Sequence, residues 1–441
     1  MKLETIGHAT LCLYNDRNKP LLSSDPWICG SVYWRSWWLQ NYPDASTIDA
    51  LGQSQYVYIT HEHPDHFHPP SIRRLGRQPK YITADLPKNN MVSYLRENEF
   101  QADVLVPYQW YDIGDGVKIL STPIWSDDSV LVIMTPTALI YNLNDSKPPR
   151  PLLKELRALR EQHRHLKCIV ASSHSPASIV SSFFRDAQRL ELWSADDFVN
   201  HVQSLCKALD ADLFLPFASN VTYLRSDTKW ANAFRVGYKE LADRWNCRAK
   251  LLRPFSNLDL TTFEATHLPT EEYNPPTNAA SSKITTRMDE ESRSESFSSE
   301  NQAQLKKRIT PFRHLFSLIY RNGIGFKLER REFTYDPKTD QFVEGIPSNP
   351  SFVIEVPTLA LKESIAINHF GDLTIPMFMI VHLYGNLKTR TAYLFFMLIT
   401  VYEYGHVFNM RQLLSFGSRV VRSYIFQRDK IPLLASTNSD K

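Results

Sequence analysis

The sequence predicts an α/β protein built from two folded parts that are joined by a polar segment. Its 441 residues are about three times the length of an average domain. Short runs of β-forming residues alternate with helix-like stretches up to about residue 262. A segment rich in Ser, Pro and charged residues follows, and apolar and aromatic residues return after it. We therefore predict a first domain over 1–262, a Ser/Pro-rich linker or long loop over 263–305, and a C-terminal α+β accessory domain over 306–441.

The individual elements are predicted from runs bounded by Pro, Asn, Asp and Gly. Strands are expected at 10–14, 20–24, 55–60, 80–83, 104–106, 117–120, 130–134 and 138–141, and helices at 87–97 and 152–165. The second domain has strand-like runs at 352–356 and 373–383 and helical ones at 391–407 and 411–427. Its most apolar stretch, 391–402, is far shorter than the ~20 residues of a membrane-spanning helix and indicates a buried core helix.

The charge balance argues against polyanionic partners, and the cysteine spacing argues against disulfide and zinc-finger frameworks. Lys and Arg number 50 against 47 Asp and Glu, and this balance does not favour nucleic acid or an anionic membrane as a partner. The five cysteines show no paired spacing, which predicts neither a disulfide framework nor a zinc finger and favours a reducing compartment. Because the N-terminus lacks the pattern of a secretory signal, we expect a cytoplasmic protein without a membrane span. The oligomeric state stays open.

The segment that carries chemistry is an H-x-H-x-D-H pattern directly after an apolar strand. It consists of His61, His63, Asp65 and His66, at the carboxyl end of a strand, where layered α/β folds place their sites. Imidazole nitrogens and carboxylate oxygens suit Zn, Fe or Mn. We expect His61 and His63 to bind one ion and Asp65 and His66 to face a second. The sequence thus predicts a site for two divalent metal ions.

This pattern resembles the metallo-β-lactamase superfamily, whose αββα fold places H-x-H-x-D-H after a strand. Gly7-His8-Ala9-Thr10 is similar to the start of several of its branches, and the strand ending in Asp25-Pro26 fits as well. Within the superfamily the chain resembles the branch of CMP-N-acetylneuraminate hydroxylases. The matching segments run in order through 1–262: Asp25-Pro26-Trp27, Trp37-Trp38-Leu39, Asp128-Ser129, Asn144-Asp145, Pro216-Phe217-Ala218-Ser219, Arg253-Pro254 and Asn257-Leu258-Asp259-Leu260. The segments 355–361 and Gly371-Asp372 are similar to a tail on such proteins.

One departure from the superfamily pattern affects the first metal. A third His usually lies in a Thr-Pro-Gly-His segment, whereas this chain reads Thr122-Pro123-Ile124-Trp125. Indole N–H is a donor only and cannot replace imidazole as a ligand. Asp127 or Asp128 is therefore a candidate ligand, although Asp128 fits equally well as a cap of the turn before the strand 130–134.

The remaining candidate site residues come partly from the resemblance and partly from their positions after predicted strands. Asp145 is implied as the Asp that bridges the metals, and His174, after an apolar strand, is expected to be a ligand or a substrate contact. His8 fits a supporting role behind the ligands. Asp65 and Asp128 are the candidate catalytic residues. The candidate substrate contacts, for which core packing is the alternative, are Trp27, Trp37, Trp38 and Ser219.

Three reactions or roles follow from such a site. With iron, favoured here, it would be a hydroxylase acting on a polar small molecule such as a sugar nucleotide. With zinc or manganese it would hydrolyse a phosphodiester, ester or lactone. As a degenerate module it would only bind. The hydroxylases it resembles carry a Rieske iron–sulfur module, whose Cys and His spacing does not occur in these 441 residues. An oxygenase would then take electrons from a separate electron-transfer protein or from the substrate.

Overall fold

The computed structural model describes residues 1–124, 128–175, 180–276, 278–294, 296–408 and 410–421. Within these ranges the first 267 residues form short strands and six α-helices. The strands are β1 (Lys2–Ile6), β2 (Thr10–Tyr14), β3 (Pro20–Ser24), β4 (Ser31–Val32), β5 (Trp37–Leu39), β6 (Tyr56–Ile59), β7 (Lys80–Thr83), β8 (Ala102–Val104), β9 (Trp110–Gly114), β10 (Val117–Ile124), β11 (Asp128–Met134), β12 (Ala138–Asn144), β13 (Lys167–Ser173), β14 (Phe183–Arg185), β15 (Gln188–Leu190), β16 (Leu213–Phe217), β17 (Val221–Tyr223), β18 (Lys250–Leu251), β19 (Ser256–Asp259) and β20 (Ala265–His267). The helices are α1 (Ala45–Gly52), α2 (Pro69–Leu75), α3 (Asn90–Glu97), α4 (Arg150–Gln162), α5 (Ala195–Leu209) and α6 (Tyr238–Asp243).

Two large mixed sheets form the centre of this part. The first has eight strands in the order β20-β19-β1-β2-β3-β6-β7-β8, and the second has seven in the order β18-β16-β13-β12-β11-β10-β9. In both, the strands that precede the candidate site residues pair in parallel: β3 with β6 in the first sheet, and β12 with β13 and β13 with β16 in the second. Parallel pairing brings the carboxyl ends of neighbouring strands to one edge, which gathers loops from distant parts of the chain.

Alternating side chains along these strands define four layers. On β11, for example, Leu131 and Ile133 belong to the core between the two sheets, whereas Val130 and Val132 pack toward the outer helices. Helices α4 and α5 cover the outer face of the second sheet, and α1 and α2 cover that of the first. The predicted αββα sandwich is confirmed.

The C-terminal part adds five strands and six helices among the described residues. They are α7 (Asn278–Arg293), α8 (Ser299–Ile309), α9 (Arg313–Ile319), β21 (Ile324–Lys327), β22 (Glu332–Asp336), β23 (Gln341–Glu344), β24 (Phe352–Glu355), α10 (Thr358–Ala366), β25 (Ile380–Leu383), α11 (Thr389–Glu403) and α12 (Met410–Val421). A seven-stranded sheet in the order β15-β14-β25-β24-β21-β22-β23 combines these strands with hairpin β14–β15. This sheet therefore includes residues from both parts of the chain. No helix in the described ranges has the length and apolar character needed to cross a membrane.

The segment 263–305, for which composition predicts a linker or long loop, contains helix α7 and the start of α8. A buried ion pair holds α7 in place: the Glu291 carboxylate accepts hydrogen bonds from Arg225 Nη1 at 3.0 Å and Nη2 at 2.7 Å. Arg225 also donates to the Trp34 carbonyl at 2.9 Å, and Arg287 on α7 donates to Glu363 of α10 at 2.7 and 2.9 Å. Composition misses this helix because charged pairs supply much of its attachment, beside a small apolar contact of Ala280 and Ile284 with Trp38.

We expect Glu291→Gln to lower the free energy of unfolding by about 2 kcal/mol, because hydrogen bonds to charged groups contribute about 1.5–3 kcal/mol each and Arg225 is fully buried. Urea unfolding measures the change. The neighbouring Glu290 is exposed, so Glu290→Gln should stay within about 0.5 kcal/mol of the wild type. Equal stabilities of the two variants would contradict a structural role of the Arg225–Glu291 pair.

Candidate metal centre

The histidine-rich loop leaves the end of strand β6, and one buried carboxylate holds its start. Asp25 accepts hydrogen bonds from the Thr60 backbone N–H at 2.8 Å and from Thr60 Oγ1 at 2.9 Å. The backbone N–H groups of His66 and Phe67 donate to the His63 carbonyl at 2.9 and 2.8 Å and close a turn. Because the loop reverses direction there, its four candidate ligands lie close together.

A first group of potential metal ligands consists of His61, His63 and Asp145. His61 Nε2 lies 2.9 Å from His63 Nδ1 and 3.9 Å from Asp145 Oδ1. One donor atom from each residue lies within 4.8 Å of the other two, a spacing that one metal ion can bridge. Asp145 follows strand β12, so two adjoining strand ends of the two sheets supply this group.

A second group consists of His8, Asp65 and His66, all buried. Asp65 Oδ2 lies 3.1 Å from His8 Nε2 and 3.5 Å from His66 Nε2. Asp145 Oδ1 is 3.6 Å from His66 Nε2 and therefore lies between the two groups. Neither Asp145 Oδ1 nor His66 Nε2 has a hydrogen-bond partner among the described residues, although both are buried. Buried polar atoms are rarely left without partners, and metal ligation would satisfy both of them.

The three imidazoles of the loop each have a carboxylate at the nitrogen that faces away from the donor groups. His61 Nδ1 is 3.3 Å from Asp128, His66 Nδ1 is 3.1 Å from Asp25, and His63 Nε2 is 3.7 Å from Asp372. Carboxylates in this position fix the ring orientation and the tautomer of a metal-binding histidine. The donors present, nitrogen and oxygen without sulfur, fit two divalent metal ions such as Fe, Zn or Mn.

The predicted site residues divide into those that the structure brings together and those that it does not. His61, His63, Asp65, His66 and Asp145 join the two groups. The structure does not bring Asp128 or His174 into either group: Asp128 lies behind His61, and the backbone N–H of His174 donates to Ser219 Oγ at 3.0 Å. Asp127, the other candidate for the missing ligand, lies outside the described residues.

The candidate substrate contacts are also divided. Trp37 and Ser219 line a pocket of about 130 Å³ beside His8 and Asp65. Trp27 is fully buried, with its ring centroid 5.8 Å from that of His8. Trp38 packs in a different cluster, against Ala280 and Ile284 of α7. Of the three Trp side chains, only that of Trp37 lines this pocket.

Opposite charges shift the pKa values of the donor groups. Burial lowers the pKa of His61, but the carboxylates of Asp128 and Asp145 outweigh it and raise the pKa to about 9. For His66, burial is likewise outweighed by Asp65, Asp145 and Asp25, and its pKa is raised well above the ordinary value. Burial would raise the pKa of Asp65, yet His66 and His8 hold it well below its usual range. Negative carboxylates therefore attract cations to this centre, whether protons or metal ions.

Metal binding should therefore release protons. In the metal-free protein a pKa of about 9 keeps His61 protonated at pH 7, so an incoming metal ion must displace that proton. We expect metal affinity to rise between pH 6 and pH 9, by roughly tenfold per pH unit for each displaced proton. Titration calorimetry in two buffers of different protonation enthalpy counts the protons. Binding at pH 7 without proton release would contradict the charge state assigned to His61.

A chamber of about 420 Å³ opens onto the first donor group from the C-terminal side. His61, His63, Asp128 and Asp145 line it, together with Lys147. Apolar and aromatic side chains from the segment after α10, from helix α11 and from the residue after it form another wall: Ile375, Tyr393, Phe396, Met397, Val401 and Tyr404. The two parts of the chain thus build one chamber at the candidate metal centre.

Curated relatives connect this architecture to known proteins, although no family model matches the chain. The cytidine monophosphate-N-acetylneuraminic acid hydroxylase of Danio rerio is 24% identical over 235 residues, 50% of this chain and 38% of that protein. A Mycolicibacterium smegmatis protein described as a Rieske 2Fe-2S iron-sulfur protein is 28% identical over 168 residues, 34% of this chain and 30% of its own length. The matched region thus spans well under half the length of these relatives.

Similar solved structures include hydroxylases and hydrolases. The CmlA beta-hydroxylase matches 60% of this chain and 54% of its own, with 13% identity and a TM-score of 0.38. The isothiocyanate hydrolase from Delia radicum gut bacteria matches 59% of this chain and 99% of its own, with 15% identity and a TM-score of 0.39.

Helices cover both outer faces of the stacked sheets, and the H-x-H-x-D-H loop follows a strand end at their edge. Both features agree with the fold that the sequence resemblance predicts. The chain has the metallo-β-lactamase fold. Its sequence is similar to the CMP-N-acetylneuraminate hydroxylase branch over half of its length.

Sequence reasoning about this metallo-β-lactamase fold misses three residues at the centre. Tyr33 OH donates to Asp65 Oδ1 at 2.7 Å, from a turn in which residues 33–35 all have positive φ. Tyr404 OH lies 3.0 Å from His63 Nε2, and Asp372 lies on the same nitrogen. Gly371-Asp372 is noted in the sequence as part of a tail, but nothing local indicates that it reaches a loop more than 300 residues away.

Proposed function

We propose that this protein is a metal-dependent oxygenase that hydroxylates a small molecule at a two-iron centre. The observation that carries the proposal is the donor set, in which His8, Asp65 and His66 adjoin His61, His63 and Asp145. Two carboxylates among six nitrogen and oxygen donors suit a redox metal with open coordination positions. The sequence similarity to proteins named as hydroxylases supports the same choice.

The residues of the centre would hold the metals and keep them accessible. His61, His63 and Asp145 would bind one ion, and His8, Asp65 and His66 the other, with Asp145 Oδ1 directed between them. When bound, iron would supply the O₂ chemistry of hydroxylation, and the side chains around it would orient the ligands. Asp128 and Asp25 would accept the ring N–H of His61 and His66, and this would leave Nε2 of both rings for the metals.

The chamber suggests how substrate would be held. Phe396, Met397 and Val401 would cover an apolar part of the substrate and exclude water from the reacting position. Lys147, which lines the chamber with the first donor group, would face an anionic or strongly polar group of the substrate. A polar molecule such as a sugar nucleotide would therefore need an apolar portion that enters between these side chains.

Electrons for an oxygenase would have to come from a group outside these 441 residues or from the substrate. The five cysteines of the chain are free, and none belongs to the donor groups found among the described residues. We propose a separate electron-transfer protein, such as one with a Rieske cluster, as the partner. The Mycolicibacterium relative, which is described as a Rieske protein, supports this pairing of modules.

A hydrolase is the second candidate, and the same donor groups favour it. Imidazole and carboxylate are the ligands of catalytic zinc, and three protein ligands per ion leave a position for water. Zinc or manganese there would lower the pKa of a bound water and allow attack on a phosphodiester, ester or lactone. A degenerate binding module, the third role, has less support because both groups keep three donors.

The metal content and the absorption spectrum test the proposal. The protein, expressed in unsupplemented medium, is measured by elemental analysis, and its visible spectrum is recorded before and after dithionite. About two irons per chain with a band that dithionite bleaches supports the oxygenase. Zinc or manganese without such a band, together with hydrolysis of bis(p-nitrophenyl) phosphate under nitrogen, overturns it in favour of a hydrolase. Less than about 0.2 metal per chain after reconstitution with iron overturns both enzymes.

A further inference from the structure

A second cleft lies outside the metal centre and has no role in the proposed reaction. It has a volume of about 960 Å³, large enough for a drug-sized ligand. Strand β17 lies between it and the metal side: Asn220 and Thr222 line the cleft, whereas Ser219, Val221 and Tyr223 line the pocket beside His8 and Asp65. Successive side chains of a strand point to opposite faces, which explains the division. A ligand in the cleft would therefore lie on the other face of this strand from the metals, and Arg235 is the side chain that lines both spaces.

The charged groups that line this cleft are basic. They are Arg235, Lys239 and Arg253, with His174 and His267 beside them, and no Asp or Glu is among the described lining residues. Lys239 pairs with Asp243 at 2.6 Å on the exposed surface. Arg235 and Arg253 have no carboxylate within 4.0 Å in the part of the chain that the structure describes. The cleft thus carries positive charge that the protein itself does not balance.

Hydrogen bonds to the backbone hold the Arg235 side chain in place in this cleft. Its two terminal nitrogens donate to the backbone carbonyls of Ser219 and Val221, so its guanidinium is fixed against strand β17. Carbonyl groups satisfy its hydrogen bonds without neutralising its charge, and an unbalanced charge that is partly removed from water costs free energy. Burial accordingly lowers the pKa of Arg235. A bound anion would offset this cost.

Two further groups face the same space. Arg253 is exposed, donates to His267 Nε2 at 2.7 Å, and has its guanidinium 5.7 Å from the ring centroid of Tyr238. His174 is 3% exposed and lines the cleft, and its Nδ1 has no hydrogen-bond partner among the described residues. A buried nitrogen without a hydrogen-bond partner is uncommon in a folded protein. It indicates that a bound ligand supplies the missing hydrogen bond.

We propose that this cleft binds a small phosphate-bearing anion, with Arg253 and Arg235 supplying the positive charge and His174 a further polar contact. Arg guanidinium groups are the usual partners of phosphate because their N–H donors match its oxygens. The near balance of charge over the whole chain argues for a small ligand rather than a long polyanion. This site does not rest on the proposed hydroxylation.

Pyrophosphate binding to the metal-loaded protein tests the site, and titration calorimetry in 150 mM NaCl limits non-specific attraction. We expect saturable binding that Arg253→Ala weakens by roughly tenfold or more and that Arg253→Glu abolishes. Arg253 is exposed, so neither variant should unfold the protein. Arg17→Ala is the matched control, because Arg17 is an exposed arginine away from the cleft, and it should bind within about twofold of the wild type.

A His63→Ala variant separates this cleft from the metal centre, which could itself attract pyrophosphate. Retained binding in His63→Ala together with loss in Arg253→Ala supports the proposal. Loss in His63→Ala with full binding in Arg253→Ala would assign the anion to the metals and overturn it. Absence of saturable binding by the wild type, or equal affinities of wild type, Arg253→Ala and Arg253→Glu, would overturn it as well.

Discussion

Replacing His63 with alanine should abolish activity and reduce the metal content from about two ions per chain to one or none. His63 Nδ1 lies 2.9 Å from His61 Nε2 in the first donor group, so its loss leaves only His61 and Asp145 for that ion. Substitutions behind a metal ligand already cost 10–100-fold, and loss of a ligand should cost more than roughly 100-fold. Elemental analysis and turnover of the substrate, once identified, measure the two effects.

The fold should survive this substitution, because the His63 side chain is about a quarter exposed and contributes no core packing. Circular dichroism and urea unfolding of the metal-free proteins check this point. His165→Ala is the matched control: His165 is exposed and lies outside both donor groups, so two metals should remain. Full metal retention in His63→Ala would show that the centre lies elsewhere.

Local sequence was sufficient to predict the part of the centre that one loop supplies. Five of the candidate ligands come together, and four of them lie within six consecutive residues after strand β6. A short loop at a strand end restricts where its side chains can go, so spacing alone is informative. Asp145 required the resemblance as well, because its partner histidines lie on the other sheet.

The remaining part of the centre depends on long-range packing, which spacing does not reveal. His8 was expected to support the ligands, yet its Nε2 lies 3.1 Å from Asp65 inside a donor group. The substitution of Trp125 for the usual third His pointed to Asp128 as a replacement, whereas Asp128 lies behind His61 in the structure. The first difference comes from strand order within the first sheet, which brings the β1–β2 turn beside the loop after β6, and the second from how the two sheets stack.

The domain prediction has a similar limit. Low hydrophobicity predicted a linker over 263–305, but α7 docks through the Arg225–Glu291 and Arg287–Glu363 pairs. Hairpin β14–β15 of the first part joins the C-terminal sheet through β25. The two parts are therefore connected by pairs of residues that are far apart in the sequence. Amino-acid composition contains no information about which distant residues pair. The same connection brings Asp372 and Tyr404 to His63.

Asp372→Ala should lower metal affinity by 10–100-fold while leaving the metal-free fold stable. The carboxylate of Asp372 lies 3.7 Å from His63 Nε2, and Tyr404 OH lies 3.0 Å from the same nitrogen and 3.4 Å from Asp372. Tyr404 OH donates to Asp372 and contacts Nε2 of His63, so without the carboxylate the His63 ring loses the charge and the oriented hydroxyl that keep Nδ1 directed at the metal. Asp372→Asn keeps an oxygen acceptor but no charge, so its affinity should fall between those of the wild type and the alanine variant.

The control for Asp372 must account for a second contact of the same side chain. Asp372 Oδ2 lies 3.0 Å from His369 Nδ1, so part of any loss could arise from the unpaired His369. His369→Ala breaks that pair and leaves the contact between Asp372 and His63 intact. If Asp372 acts through His63, metal titration should give near wild-type affinity for His369→Ala and the full loss for Asp372→Ala. Equal losses in both variants would instead assign Asp372 to the packing of the C-terminal part, since only the contact with His369 is common to them.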